Sequence, residues 1–164
     1  MAFANNPKLV NSPSGVVGEL SHTNVGTGTS AFLEGELVYM NAGVVTTVSA
    51  SAAGALSSTV IWGQALQDDG ASATEVQCQV ILPTQIWKIK LTASGTANTA
   101  ATFTKGVAYG LYHGTNEWYA DSDGTAQDMI VYMGPAPSGT ESLTTATWGL
   151  FRFVPTYCQA WIGA

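Results

Sequence analysis

Charge is scarce in this sequence. Five Lys and Arg stand against eleven Asp and Glu among 164 residues, so charged side chains make up 10 % of the chain, where about 25 % is usual. The balance is acidic, with a formal net charge of −6. A nucleic-acid binder needs a basic stripe that releases counterions from phosphates. Here Lys8, Lys88, Lys90, Lys105 and Arg152 are scattered along the sequence, which argues against direct DNA or RNA binding. Cysteine is scarce too. Cys78 and Cys158 are far apart, too few for a disulfide framework and without the Cys-x-x-Cys spacing of a zinc knuckle. Two free thiols in a reducing cytosol are expected. Long apolar runs are also missing: no stretch approaches the ~18 residues of a membrane-spanning helix, and Met1 to Val10 has no charged segment followed by an apolar run, so no secretory signal is expected.

Apolar residues nevertheless reach 46 %, enough for a globular core at a length that suits one domain. Ser, Thr, Gly, Ala and Asn fill the polar positions, giving a wet but weakly charged surface suited to close protein–protein packing.

The periodicity is that of strands. Ala50 to Leu56 is Ala-rich, but it contains Gly54 and is too short to stand as a helix. Residues 1–34 read as an extended arm, broken by Asn5, Asn6, Pro7, Asn11, Pro13, Gly15, Gly26 and Gly28. From Gly35 onward a single domain is expected. Leu37–Met40 and Val44–Val48 form a hairpin across Asn41-Ala42-Gly43, with glycine supplying positive φ. Thr59–Leu66 is a strand with Val60, Trp62 and Leu66 on one face, and Gly63 within it marks a bulge or a close backbone approach. Val76, Cys78, Val80 and Leu82 alternate with Gln77 and Gln79, and Trp87, Ile89 and Leu91 alternate with Lys88 and Lys90. The soft stretch from Leu91 to Thr104 reads as a projecting loop or weak edge strand. Val107–His113 and Trp118–Ala120 pair across Gly114-Thr115-Asn116. Strands follow at Met129–Met133 and Trp148–Val154. About nine to ten short strands with Gly-rich turns predict an all-β, antiparallel barrel or sandwich carrying an extended N-terminal arm.

Catalytic signatures are not recognisable. The chain has no Gly-x-Ser-x-Gly elbow, no phosphate-binding Gly-x-x-x-x-Gly-Lys loop and no His-Glu-x-x-His. Gly26-Thr27-Gly28-Thr29-Ser30-Ala31 fits a relaxed dinucleotide fingerprint but lacks the strand before it and the helix after it. His22 and His113 are too few for a His-rich metal site. Asp121-Ser122-Asp123-Gly124 with Asp128 departs from the spacing of a calcium loop. It reads, like Asp68-Asp69 with Glu75, as a polar turn. No enzyme, cofactor or metal is therefore expected. Of the five tryptophans, Trp62, Trp87 and Trp148 fall in step with the apolar face of their strands. Trp118 and Tyr119, beside a turn, are the pair expected to meet a partner. With Tyr109 and Tyr112 they would form the platform of a carbohydrate-binding domain, the alternative reading of function.

One stretch carries a resemblance. Glu34-Gly35-Glu36-Leu37-Val38-Tyr39, a turn with Gly43-Val44-Val45, and then Val60-Ile61-Trp62-Gly63-Gln64-Ala65-Leu66-Gln67-Asp68 are similar to the capsid decoration (cement) proteins of tailed bacteriophages. Thr74-Glu75-Val76, Val80, Pro83 and Ile86-Trp87-Lys88-Ile89 continue the same order, so the likeness runs from Glu34 to Leu91, a little over a third of the chain. The resemblance implies a small β-barrel, often oligomeric, with a trimer as the guess. It would be assembled in the host cytoplasm and placed on the outer surface of the virion, where it bridges subunits of the major capsid protein. The arm would suit that role by reaching a neighbour and completing its sheet. Pro7, Leu9, Val10, Val16 and Val17 of the arm join Trp118 and Tyr119 as the expected partner-binding residues.

Overall fold

A computed structural model describes residues 7–11, 20–24, 31–41, 43–48, 54–55, 60–68, 75–115, 117–123 and 128–159, with backbone alone at 20–24 and 54–55. The described residues are all-β apart from short turns of 3-10 helix. Thirteen strands run in the order β1 (Lys8–Asn11), β2 (Leu20–Asn24), β3 (Leu37–Asn41), β4 (Val44–Thr47), β5 (Gly54–Ala55), β6 (Gly63–Ala65), β7 (Glu75–Val80), β8 (Ile86–Ala93), β9 (Thr96–Ala97), β10 (Ala108–Gly114), β11 (Glu117–Asp121), β12 (Ile130–Pro135) and β13 (Trp148–Phe153).

Five of these close a ring. β8 pairs with β11, β11 with β10, β10 with β12, β12 with β13, and β13 returns to β8. The expectation of a purely antiparallel sheet is corrected at one place: β8 and β11 run parallel, with Tyr119 beside Lys90 and Ala120 beside Leu91. Parity requires it. Directions that alternate around a ring must return to their start, so an odd number of strands forces at least one parallel neighbour.

Inward residues of the ring form the larger core. Trp87, Ile89 and Leu91 of β8 meet Leu111, Trp118, Ala120, Ile130, Tyr132, Phe151 and Phe153. Aromatic edges and faces organise one part of it, with Phe103 4.7 Å from Tyr109 and 5.5 Å from Tyr132, and Tyr132 5.2 Å from Phe151. Such tilted and edge-on pairs add about 0.5–1.5 kcal/mol each beyond their burial. Gly149 makes room for this cluster, because a Cβ there would lie 2.7 Å from both Phe151 and Tyr132.

The second sheet is antiparallel throughout, in the order β2-β7-β6-β3-β4. Both its faces are covered. Leu37 and Ile61 join the barrel core, while Val38, Val45, Ala65, Val76 and Cys78 form a smaller core with Phe32. That is why β3 buries consecutive residues instead of alternating. Gly43 has φ +81 in the β3–β4 turn, as the sequence requires. Gly63 is a close approach with no register shift: a Cβ would stand 2.8 Å from the carbonyl oxygen of Gln79.

Several facings differ from the sequence reading. Ile61, Gly63 and Ala65 are buried, whereas Val60, Trp62 and Leu66 are half-buried, with Trp62 against the smaller core. In β13 it is Gly149, Phe151 and Phe153 that point inward, leaving Trp148, Leu150 and Arg152 on the outer face. Turning the other set inward would carry the Arg152 guanidinium into the apolar core, whereas Gly149, Phe151 and Phe153 bring no charge. Of the two expectations for Leu91 to Thr104, the weak edge strand holds and the projecting loop does not. β8 continues to Ala93, turns through Ser94 (φ 46) and Gly95 (φ 86), and returns as β9. Positive φ at both turn residues matches the strand twist. A 3-10 turn at Ala100–Thr102 then delivers Phe103 to the core.

The opening region is extended, and parts of it lie on the folded body of its own chain. β1 pairs with β8, β2 pairs with β7, and Phe32 is buried in the smaller core. Gln64 anchors this start: its buried Nε2 donates to the carbonyls of Pro7 (2.9 Å) and Gly35 (3.1 Å). Gln159 anchors the other end, its side-chain amide accepting from Met40 N (2.7 Å) and donating to Met40 O (2.8 Å).

These facings predict a contrast between neighbours in β13. Phe151→Ala should lower stability by about 3–5 kcal/mol and Phe151→Asp should prevent folding, while Leu150→Asp should remain folded with a cooperative transition. Urea denaturation followed by circular dichroism separates the two; loss of cooperativity in Leu150→Asp would invert the assignment.

Candidate docking face

The alternation of β8 that buries Trp87, Ile89 and Leu91 leaves Lys88 and Lys90 on the outer surface of the barrel. Pairing brings distant residues alongside them. Lys8 of β1 lies opposite Lys88. From β13, Leu150 lies opposite Lys88 and Trp148 opposite Lys90, with Arg152 two residues further along the same face. From β11, Tyr119 adjoins Lys90, and Tyr112 of β10 adjoins Tyr119. Four of the five cations of the chain therefore share one sheet surface, although the sequence scatters them.

The aromatic rings hold the ammonium groups. Nζ of Lys88 and of Lys8 stand 5.4 and 5.8 Å from the centre of the Trp148 ring, and Nζ of Lys90 stands 5.7 Å from that of Tyr119. Each contact adds about 0.5–1 kcal/mol at an exposed site. Lys88 also donates to Ser138 Oγ at 3.0 Å. The loop bearing Ser138 is fixed by Glu141, whose carboxylate accepts from Thr147 Oγ1 (2.6 Å) and Ser138 N (2.8 Å). The Thr147 hydroxyl first, then the Ser138 amide, hold the Glu141 carboxyl below its usual range, and Lys88 adds to this. At the far side of the face, Arg152 Nε is buried with no hydrogen-bond partner among the described residues.

The expected partner-binding residues separate into groups. Pro7 is buried, Leu9 packs on the barrel core, and Val10 is 55 % exposed. Val16 and Val17 lie outside the described residues. Tyr119 is half-exposed on the outer face. Trp118 is corrected: it is fully buried, its ring 4.6 Å from that of His113. The β10–β11 ladder already includes the Gly114–Glu117 pair, so Trp118 sits within it and alternates inward with Ala120. Tyr109 is buried as well, its hydroxyl accepting from Thr104 N at 2.7 Å. Tyr112 lies under the β8–β9 turn, where a Cβ on Gly95 would meet its hydroxyl at 2.9 Å. The four-residue aromatic platform is thus split between core and surface.

The acidic turns hold backbone amides, chiefly of distant segments. Buried Asp121 accepts from Ser94 N (2.8 Å) and Asp123 N (3.3 Å), pinning the turn with positive φ. Asp68 accepts from Glu34 N at 2.8 Å, the first cause of its lowered pKa. Asp69 and Gly124 lie outside the described residues, and so does Trp161. Among the described residues no group of three or more His, Cys, Asp or Glu is placed to hold a metal ion. No helix among them is long and apolar enough to cross a membrane. Both cysteines are buried thiols outside any disulfide, and burial pushes the Cys158 thiol up to about 12.

The face itself was missed at the level of sequence. Lys88 and Lys90 signal a charged strand surface, but Lys8 and Trp148 join it only through the register of β1 and β13. No protein-family model matches the chain, and no curated protein does so.

Two measurements follow from the buried groups. Burial raises the Glu36 carboxyl from 4.5 to about 7, opposed by a hydrogen bond from Leu33 N. The folded state then holds a proton that the unfolded state releases between these values. Stability should accordingly fall as pH rises from about 4.5 to 7 and level off above, a loss on the order of 3 kcal/mol. Glu36→Gln should flatten that slope in denaturation curves taken across the window; an unchanged slope would remove Glu36 as its cause. Cys78 and Cys158 should both resist a maleimide in native protein and both react in denaturant, as counted by mass spectrometry.

Proposed function

We propose that this protein is a structural component of a phage virion that docks on the outer surface of the assembled capsid and bridges subunits of the major capsid protein. The observation that carries the reading is how the opening segment is held. It is added to sheet edges as strands: β1 on the barrel through a short ladder with a register shift, and β2 on the second sheet. The same backbone groups suit strand addition to a neighbouring subunit. On a repeating lattice, modest contacts of this kind are multiplied by avidity.

The resemblance to decoration proteins gives further support. Its residues, Glu34 to Leu91, fall on the β3–β4 hairpin, β6, β7 and β8, which are four strands of one sheet and the strand that founds the barrel. Trimeric assembly belongs to this proposal.

Co-sedimentation tests it. The protein should pellet saturably with expanded capsids of its virus and stay in solution with unassembled coat subunits. Deleting residues 2–11, which removes β1 and spares β2, should cut capsid occupancy about tenfold, equivalent to the loss of about 1.4 kcal/mol per site. Protein that ignores expanded capsids would overturn the reading.

A further inference from the structure

We infer that the outer barrel face around β8 is a docking surface for a carboxylate-rich segment of a protein partner. The inference deepens the reading above by naming the chemistry of the partner, and it rests on that reading only for where the partner is found.

Three observations converge on it. The first is charge. A chain of net charge −6 places Lys8, Lys88, Lys90 and Arg152 on one surface, so the local field there opposes that of the rest of the molecule. The second is cost. Lys8 and Lys88 stand directly opposite each other in an antiparallel pair, an arrangement that destabilises a sheet by like-charge repulsion. A bound anion relieves that repulsion. The third is preorganisation. Trp148 holds the ammonium groups of Lys8 and Lys88, Tyr119 holds that of Lys90, and Ser138 fixes Lys88 from the side. Cations held in this way lose less side-chain freedom when an anion arrives.

A protein segment fits better than the other anionic polymers. Trp148 and Tyr119 already carry ammonium groups against their rings, which takes up the surface on which a sugar ring or a base would stack. Leu150 lies opposite Lys88, and Val10, two residues from Lys8 at the register shift of β1, is 55 % exposed. Together they suit a segment that mixes carboxylates with apolar side chains.

The probe is a synthetic peptide rich in Glu, Asp and Leu, titrated into the full-length protein at low salt while the indole N–H of Trp148 is followed by NMR. Binding should shift that signal and weaken steeply as salt is added. Lys88→Glu with Lys90→Glu should weaken it at least ~10-fold, which is one unit on the logarithmic affinity scale. Lys105→Glu, in the turn before β10, should leave it unchanged. The Lys88→Glu change turns the Lys8–Lys88 repulsion into an attraction and gives up the surface contacts with Trp148 and Ser138, so the variant should keep a cooperative thermal transition, which separates lost binding from lost fold. Three results would overturn the inference: a Trp148 signal that ignores the peptide, an equal loss in Lys105→Glu, or tighter binding of a uronic-acid polysaccharide or duplex DNA at matched charge. None of these bears on whether the protein pellets with capsids, so the two readings fail separately.

Discussion

Strand β8 meets four others along its eight residues. β13 and β9 share one edge, and β1 and β11 share the other. Its inward side chains, Trp87, Ile89 and Leu91, belong to the same core cluster as the inward residues of the other four ring strands. Because the strand is shared in this way, one alternation decides two things. It fixes which residues fill the barrel, and it fixes that Lys88 and Lys90 stand outside. A slip of one residue would exchange the two sets, placing two ammonium groups in an apolar interior at a cost no hydrogen bond there offsets.

The closed ring carries costs of its own. Trp87 Nε1, Gln85 Nε2 and the Tyr132 hydroxyl are buried with no hydrogen-bond partner among the described residues. Burial, with Tyr109 nearby, raises the Tyr132 pKa and keeps that phenol neutral. Each unpartnered donor costs about 1–3 kcal/mol. The aromatic bodies attached to two of them bury enough surface to offset this, since a fully buried large side chain contributes on the order of 1.5–3 kcal/mol. Tightness is a consequence: Gly149 and Gly63 tolerate no side chain because ring and backbone atoms stand where a Cβ would go.

What the sequence makes legible is local. Alternation reads correctly in β7 as far as Val80 and in β8 as far as Leu91, where one face is apolar; beyond them Ile81 and Thr92 are buried and Leu82, expected on the buried face, is half-buried. The Gly43 turn and the β10–β11 hairpin read correctly because positive φ and short loops are properties of a few adjacent residues. Facing fails where both sides of a strand are apolar. Val60, Trp62 and Leu66 compete with Ile61 and Ala65, and Trp148 with Phe151, and only the partner layer resolves such a tie. The parallel β8–β11 pair follows from ring closure, which no local pattern encodes. Trp118 misleads for a related reason: proximity to a turn suggests exposure, but the ladder begins one residue earlier, at Glu117.

The docking face shows how these levels join. Residues eighty and sixty positions apart from Lys88 reach it because pairing register, and nothing nearer in sequence, aligns Lys8 and Trp148 with it. Scarcity of charge makes the alignment informative. On a surface of ordinary composition, four cations on one sheet would be diluted by carboxylates between them. Here the strands around β8 supply Trp148, Leu150 and Tyr119 in those places instead. Glu117 stands at the far end of β11, and Glu141 is already bound to Thr147 and Ser138. Setting Lys8 against Lys88 costs the sheet a like-charge repulsion. The sheet bears that repulsion, and Trp148 opposes it by holding both ammonium groups against its ring.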